Sequence, residues 1–152
     1  MKKLFLITLI IFGNLFLPSN SKSLKEYTQM PYVGTEINKA VNGNLPFVLI
    51  IADPNNHGAI IKYFSIGKMI YREFENKYDF CILNADSEEN REYIEFFKPE
   101  TLPEVYIVIP QQNAFGKVDK KYHNTNDMRR ILRNMLNKKI NRKKYFYKPY
   151  NA

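Results

Sequence analysis

Residues 47–52 read Phe-Val-Leu-Ile-Ile-Ala, six apolar residues in a row between Pro46 and the Asp53-Pro54 pair. β-Branched and large apolar side chains dominate the run, and its length suits a strand better than a helix. Because successive strand residues face opposite ways, an unbroken apolar run needs cover on both sides. Such strands are those of a parallel sheet with helices packed on each face.

The rest of the chain supplies helices at suitable intervals. Thr35 to Val41 forms a short helix, closed by Asn42-Gly43-Asn44. Asp53-Pro54-Asn55-Asn56 ends the strand and offers cap residues. Ile60, Phe64, Gly67, Tyr71 and Phe74 then recur at helical spacing along one face. Asp79 to Asn84 is a second apolar strand. Ser87-Glu88-Glu89-Asn90 opens another helix, with its acids where the macrodipole favours them, and Pro99 limits it. Val105 to Ile109 is a third strand. Pro110 to Asn113 turns the chain, and Ala114 to Tyr122 returns as an antiparallel edge strand. Asn126-Asp127 caps a last helix whose apolar face carries Met128, Ile131, Leu132, Met135 and Leu136. The predicted order is α-β-α-β-α-β-β-α, one α/β domain.

Composition narrows the class further. The 152 residues suit a single domain, and 45% apolar content excludes disorder throughout. One cysteine excludes an internal disulfide. The net charge of +8 suggests nucleic acid until it is located. Residues 1–23 contribute +3, residues 24–127 contribute −4, and residues 128–152 contribute +9 with no acid at all. The domain itself is mildly acidic; the basic character lies at its ends.

At the N-terminus, Lys2 and Lys3 precede an apolar run from Leu4 to Leu17, Pro18 breaks it, and small residues follow at Ser19, Ser21 and Ser23. Charge, apolar stretch and small residues in that order predict a signal peptide over 1–23. The expected location is a bacterial periplasm or the exterior, with an uncleaved inner-membrane anchor as the alternative. Cys81 lies within Phe80-Cys81-Ile82-Leu83 and is expected to be buried and unreactive.

The order of elements, with Pro103 directly before the third strand, resembles the thioredoxin fold between about Thr35 and Lys139. Phe47–Ala52 is similar to the family's central strand, Asn84-Ala85-Asp86 to its next strand-to-helix junction, and Glu100-Thr101-Leu102-Pro103 to its cis-proline loop. The resemblance aligns Asn55 and Gly58 with the two positions held by cysteines in active members, Pro54 with the tryptophan, and Leu49 with a buried acid. Dithiol exchange requires an attacking and a resolving thiol, so the resemblance implies a redox-inactive member.

The expected function is therefore binding of a peptide or protein partner in the cell envelope. The face that would do it comprises Asn55, Asn56, His57, Gly58, Leu102 and Pro103. Two alternatives stand beside it: an oxidoreductase-related enzyme with a non-standard site, and an accessory subunit of an envelope complex. For Asn55 and Asn56 the open alternatives are an anion site at the helix N-terminus or simple capping. Pro103 either presents Leu102 to an extended peptide or merely shapes its loop. His57 and His123 are placed in separate loops, and no ligand spacing suggests a metal or other cofactor.

The chain is divided into the signal peptide, a thioredoxin-like domain over 24–139, and a basic, aromatic tail over 140–152. Lys143, Lys144, Tyr145 and Tyr147 are the tail's expected contacts, toward an anionic membrane surface rather than nucleic acid, or else the tail is simply solvated.

Overall fold

The computed structural model describes residues 30–146. The predicted signal segment and Tyr147 lie outside them. Ten elements follow in chain order: β1 (Tyr32–Gly34), α1 (Ile37–Val41), β2 (Phe47–Ala52), α2 (His57–Glu73), β3 (Asp79–Asn84), α3 (Arg91–Phe97), β4 (Glu104–Ile109), β5 (Ala114–Lys117), α4 (Thr125–Leu136) and α5 (Arg142–Tyr145). The strands form one mixed sheet in the order β1-β3-β2-β4-β5. β2 and β3 run parallel, and the other neighbouring pairs are antiparallel. An α/β domain with helices flanking a five-stranded mixed sheet is compatible with a thioredoxin-like fold.

All six residues of β2 are buried, as an unbroken apolar run at the sheet's centre requires. Val48 and Ile50 join Ile82, Val105 and Ile107 beneath α2 and α4, where Ile60, Ile66, Met128 and Ile131 complete the larger core. Phe47, Leu49 and Ile51 face the other way, with Cys81, Leu83 and Tyr106, onto Ile37 and Ala40 of α1 and Phe97 of α3. Gly67 brings α2 close to the sheet. A Cβ there would lie 2.3 Å from the Phe80 ring, so glycine is what permits the approach.

Four differences from the sequence-based expectation have physical causes. β1 was not foreseen. It is only Tyr-Val-Gly, and its order depends on pairing with β3 and on two buried asparagines that grip the preceding segment. Asn90 Nδ2 donates to the carbonyls of Pro31 (2.6 Å) and Asn84 (2.9 Å), while Asn84 Nδ2 donates to that of Met30 (3.2 Å). The short helix expected from Thr35 begins instead at Ile37. The edge strand expected to reach Tyr122 ends at Lys117 and gives way to a 3-10 turn over Lys120–Tyr122. The last helix is capped by Asn124 rather than Asn126: Asn124 Oδ1 accepts from the Asp127 amide (2.9 Å), and its amide group donates to the Asp127 carboxylate (2.6 Å). A side-chain acceptor three residues before that amide is what a cap requires, and Asn126 is too near.

The largest correction concerns the C-terminus, which the sequence assigned to a tail from residue 140. Residues 142–146 fold back as a strap. Tyr145 and Phe146 are 5% and 7% exposed and belong to the larger core. The Asp119 amide donates to the Tyr145 carbonyl (3.0 Å), and Phe146 pairs with Val118 in an antiparallel bridge. Apolar area removed from water drives this docking, so the folded unit extends to residue 146, past the expected boundary at 139.

Candidate functional site

Three loops meet at the end of the sheet where β2 leaves and β4 enters. The β2–β4 register pairs Ile51 with Glu104, so the loop after Ala52 and the loop before Glu104 emerge side by side. The segment that follows β5 closes the third side.

In the first loop, Asp53 Oδ1 accepts from the Asn55 amide (2.8 Å), and the Asp53 carbonyl accepts from that of Asn56 (3.1 Å). Asn56 is the N-cap of α2, its Oδ1 accepting from the Ala59 amide (3.1 Å). Its side chain is therefore committed to one of the helix's orphan donors. Pro54 is buried, whereas Asn55, Asn56, His57 and Gly58 are exposed. A Cβ on Gly58 would meet nothing within 4 Å, so that position opens onto solvent.

In the second loop, the Leu102–Pro103 peptide is cis and the Leu102 side chain is 38% exposed. Thr101 Oγ1 accepts a hydrogen bond from Lys120 Nζ, tying this loop to the third. The structure thus brings Asn55–Gly58 and Leu102–Pro103 to one end of the sheet.

Beside Pro103 lies a feature that sequence reasoning missed. Glu104 is buried, yet its carboxylate accepts from the Tyr106 hydroxyl and from Lys117 Nζ (3.2 Å), and Lys117 also approaches Glu100 (3.5 Å). Burial, and secondarily the hydrogen bond to Glu104, push the Tyr106 hydroxyl's pKa up. Glu100, Thr101, Glu104, Lys117, Lys120 and His123 line a cleft of about 310 Å³. The available signal was an acid at the head of an otherwise apolar strand, with a lysine closing the next strand opposite Tyr106, two residues further along.

His123 lies in a loop, as expected, and is buried there. Its Nδ1 pairs with the Tyr63 hydroxyl and its Nε2 with the Val118 carbonyl, each at 2.9 Å. Burial is the main cause holding its pKa below the ordinary imidazole value. Burial likewise pushes Tyr63 up to about 12. Among the described residues no cluster of three or more His, Cys, Asp or Glu is placed to hold a metal ion.

Leu49 pairs in register with Cys81 on the smaller core. Cys81 is fully enclosed three residues before the end of β3, and burial pushes its thiol well above the usual range. Lys143 and Lys144 are exposed on the strap, but the Tyr145 ring points into the core. A partner there meets the lysines and not that ring.

No protein-family model matches this sequence, and no curated protein matches it significantly. Among the described residues no helix is long and apolar enough to cross a membrane.

Proposed function

We propose that the chain is an exported, thioredoxin-like protein without dithiol chemistry, and that it holds an extended peptide segment of a cell-envelope partner. The face would be the Asn55–Gly58 loop together with Leu102–Pro103. The observation that carries this reading is the shared emergence of the two loops at one end of the sheet, with Gly58 open to solvent on one and Leu102 exposed on the other. Asparagine and glycine stand where a dithiol enzyme would need thiols, and backbone with one apolar side chain is a recognition surface for an extended segment. An enzyme working through Cys81 is the weaker reading, because thiolate is the reactive form and burial suppresses it.

Peptides selected from a random linear library against the wild-type protein test the proposal. Gly58→Trp projects into open space and leaves the fold intact, and Leu102→Asp puts a charge on the same face. Each variant is expected to weaken selected peptides at least about tenfold, the loss expected for one well-placed contact. A library that yields no binder, or binders indifferent to both changes, overturns the assignment. In parallel, thiol reagents are expected to modify Cys81 only as fast as the chain unfolds; rapid labelling with insulin reduction would favour the enzyme.

A further inference from the structure

We propose that the folded strap and the end of α4 form a cationic platform that docks this protein onto an anionic membrane surface. The site is separate from the peptide face and stands whether or not that reading holds.

Not all of the C-terminal charge contributes. Arg129 and Arg133 share the one Glu73 carboxylate, and Arg130 binds Asp127, so two of these three guanidinium charges are offset. Lys138, Lys139, Lys143 and Lys144 are exposed, and among the described residues no carboxylate pairs with them. They lie within seven residues of chain.

What sets the platform apart from a loose basic tail is that the fold holds it in place. The Lys144 ammonium sits 5.3 Å from the centre of the Tyr145 ring, with the Arg130 guanidinium 5.8 Å from the same ring. That ring is buried against Tyr122, 5.1 Å between centroids, and the Tyr145 carbonyl is held by the Asp119 amide. Charges already ordered on a rigid support cost less entropy to bring to a surface.

The chemistry favours lipid over nucleic acid. Single-stranded nucleic acid is held by exposed aromatic rings on which bases stack, and here Tyr145 and Phe146 face inward. An anionic bilayer asks only for clustered cations within a screening length of its surface. The same chain also opens with Lys2-Lys3 and an apolar run of membrane-directed pattern.

The test uses the full chain with vesicles of phosphatidylcholine alone, or with about 30% phosphatidylglycerol to supply the anionic surface. The readout is the preference for the anionic vesicles, so any contribution of the N-terminal apolar segment is common to all variants and cancels. Lys143→Ala/Lys144→Ala and Lys138→Ala/Lys139→Ala are each expected to cut that preference about 25-fold, roughly fivefold per lysine. Salt at about 1 M, where the screening length is near 3 Å, is expected to abolish it. Lys39→Ala/Lys68→Ala, on α1 and α2, serves as the control and is expected to leave it unchanged. Equal loss in the control pair, no loss in the platform pairs, or tighter binding to a single-stranded oligonucleotide than to the anionic vesicles would overturn the proposal.

Discussion

Replacing His123 with alanine would strand the Tyr63 hydroxyl and the Val118 carbonyl in the core. A stranded buried polar group costs about 1–3 kcal/mol, so the variant is expected to lose about 2–3 kcal/mol in urea unfolding. The native histidine should also make stability depend on pH. Its pKa is lowered in the folded protein chiefly by burial, with nearby Lys62 and Lys120 adding to the effect and the Val118 carbonyl and Asp119 opposing it. The unfolded imidazole titrates near 6.5 and therefore takes up its proton first as pH falls. This contribution is complete above about pH 6.5 and is lost progressively below it, until the folded imidazole protonates. The urea midpoint is expected to drop between about pH 7.5 and pH 5.5, a window spanning that value. The drop should shrink in His123→Gln, which cannot titrate; an equal drop in both proteins would refute the account. None of this was legible beforehand, because the histidine's main partner lies 60 residues away and a polar residue in a turn reads as solvent-facing.

At the level of elements, α2 is positioned by contacts at its middle and at its end. Gly67→Ala raises helix propensity by up to about 1 kcal/mol, yet it drives a methyl into the Phe80 ring. Overpacking of that kind costs about 1–3 kcal/mol. The single variant is expected to lower the melting temperature, and Gly67→Ala/Phe80→Leu to recover most of it; a single variant more stable than wild type would show that the ring moves freely aside. At the C-terminal end of α2, Arg129 and Arg133 from α4 converge on Glu73, and Arg129's hydrogen bond is the first cause holding that carboxyl below its usual range. α2, β2, β3 and β4 were all readable, because a long periodic face or an unbroken apolar run declares itself locally. β1 and the short extent of β5 were not. A three-residue strand has too little pattern of its own, and Tyr32, Val33 and Gly34 are ordered by Leu83, Ile82 and Cys81 across the sheet. At the candidate site, the exposed loop residues were found through the resemblance, while Glu104 and Lys117 were hidden because their importance arises only when β4 and β5 pair.

For the molecule as a whole, the strap decides where the fold ends. Truncation after Lys139 removes Tyr145 and Phe146, and each buried aromatic contributes about 1.5–3 kcal/mol. The truncated protein is expected to lose at least about 3 kcal/mol in denaturant unfolding; an unchanged midpoint would mean that the strap is dispensable. The sequence suggested a solvated tail because Tyr145 and Phe146 are set among lysines, and only the opening between β5 and α4 gives those rings somewhere to go. The overall charge was easier to read, since the acidic middle and the basic end follow from position alone. The sheet's two borders carry a further consequence. One is the three-residue β1, which ends at Gly34 with φ +92°; the other is the four-residue β5, next to which Phe146 occupies Val118. Neither border is long enough to template a strand from another copy of the chain, and open edges are where cross-β aggregation starts. A protein so bordered should stay monodisperse on concentration, and removal of the strap should be felt as aggregation as well as lost stability.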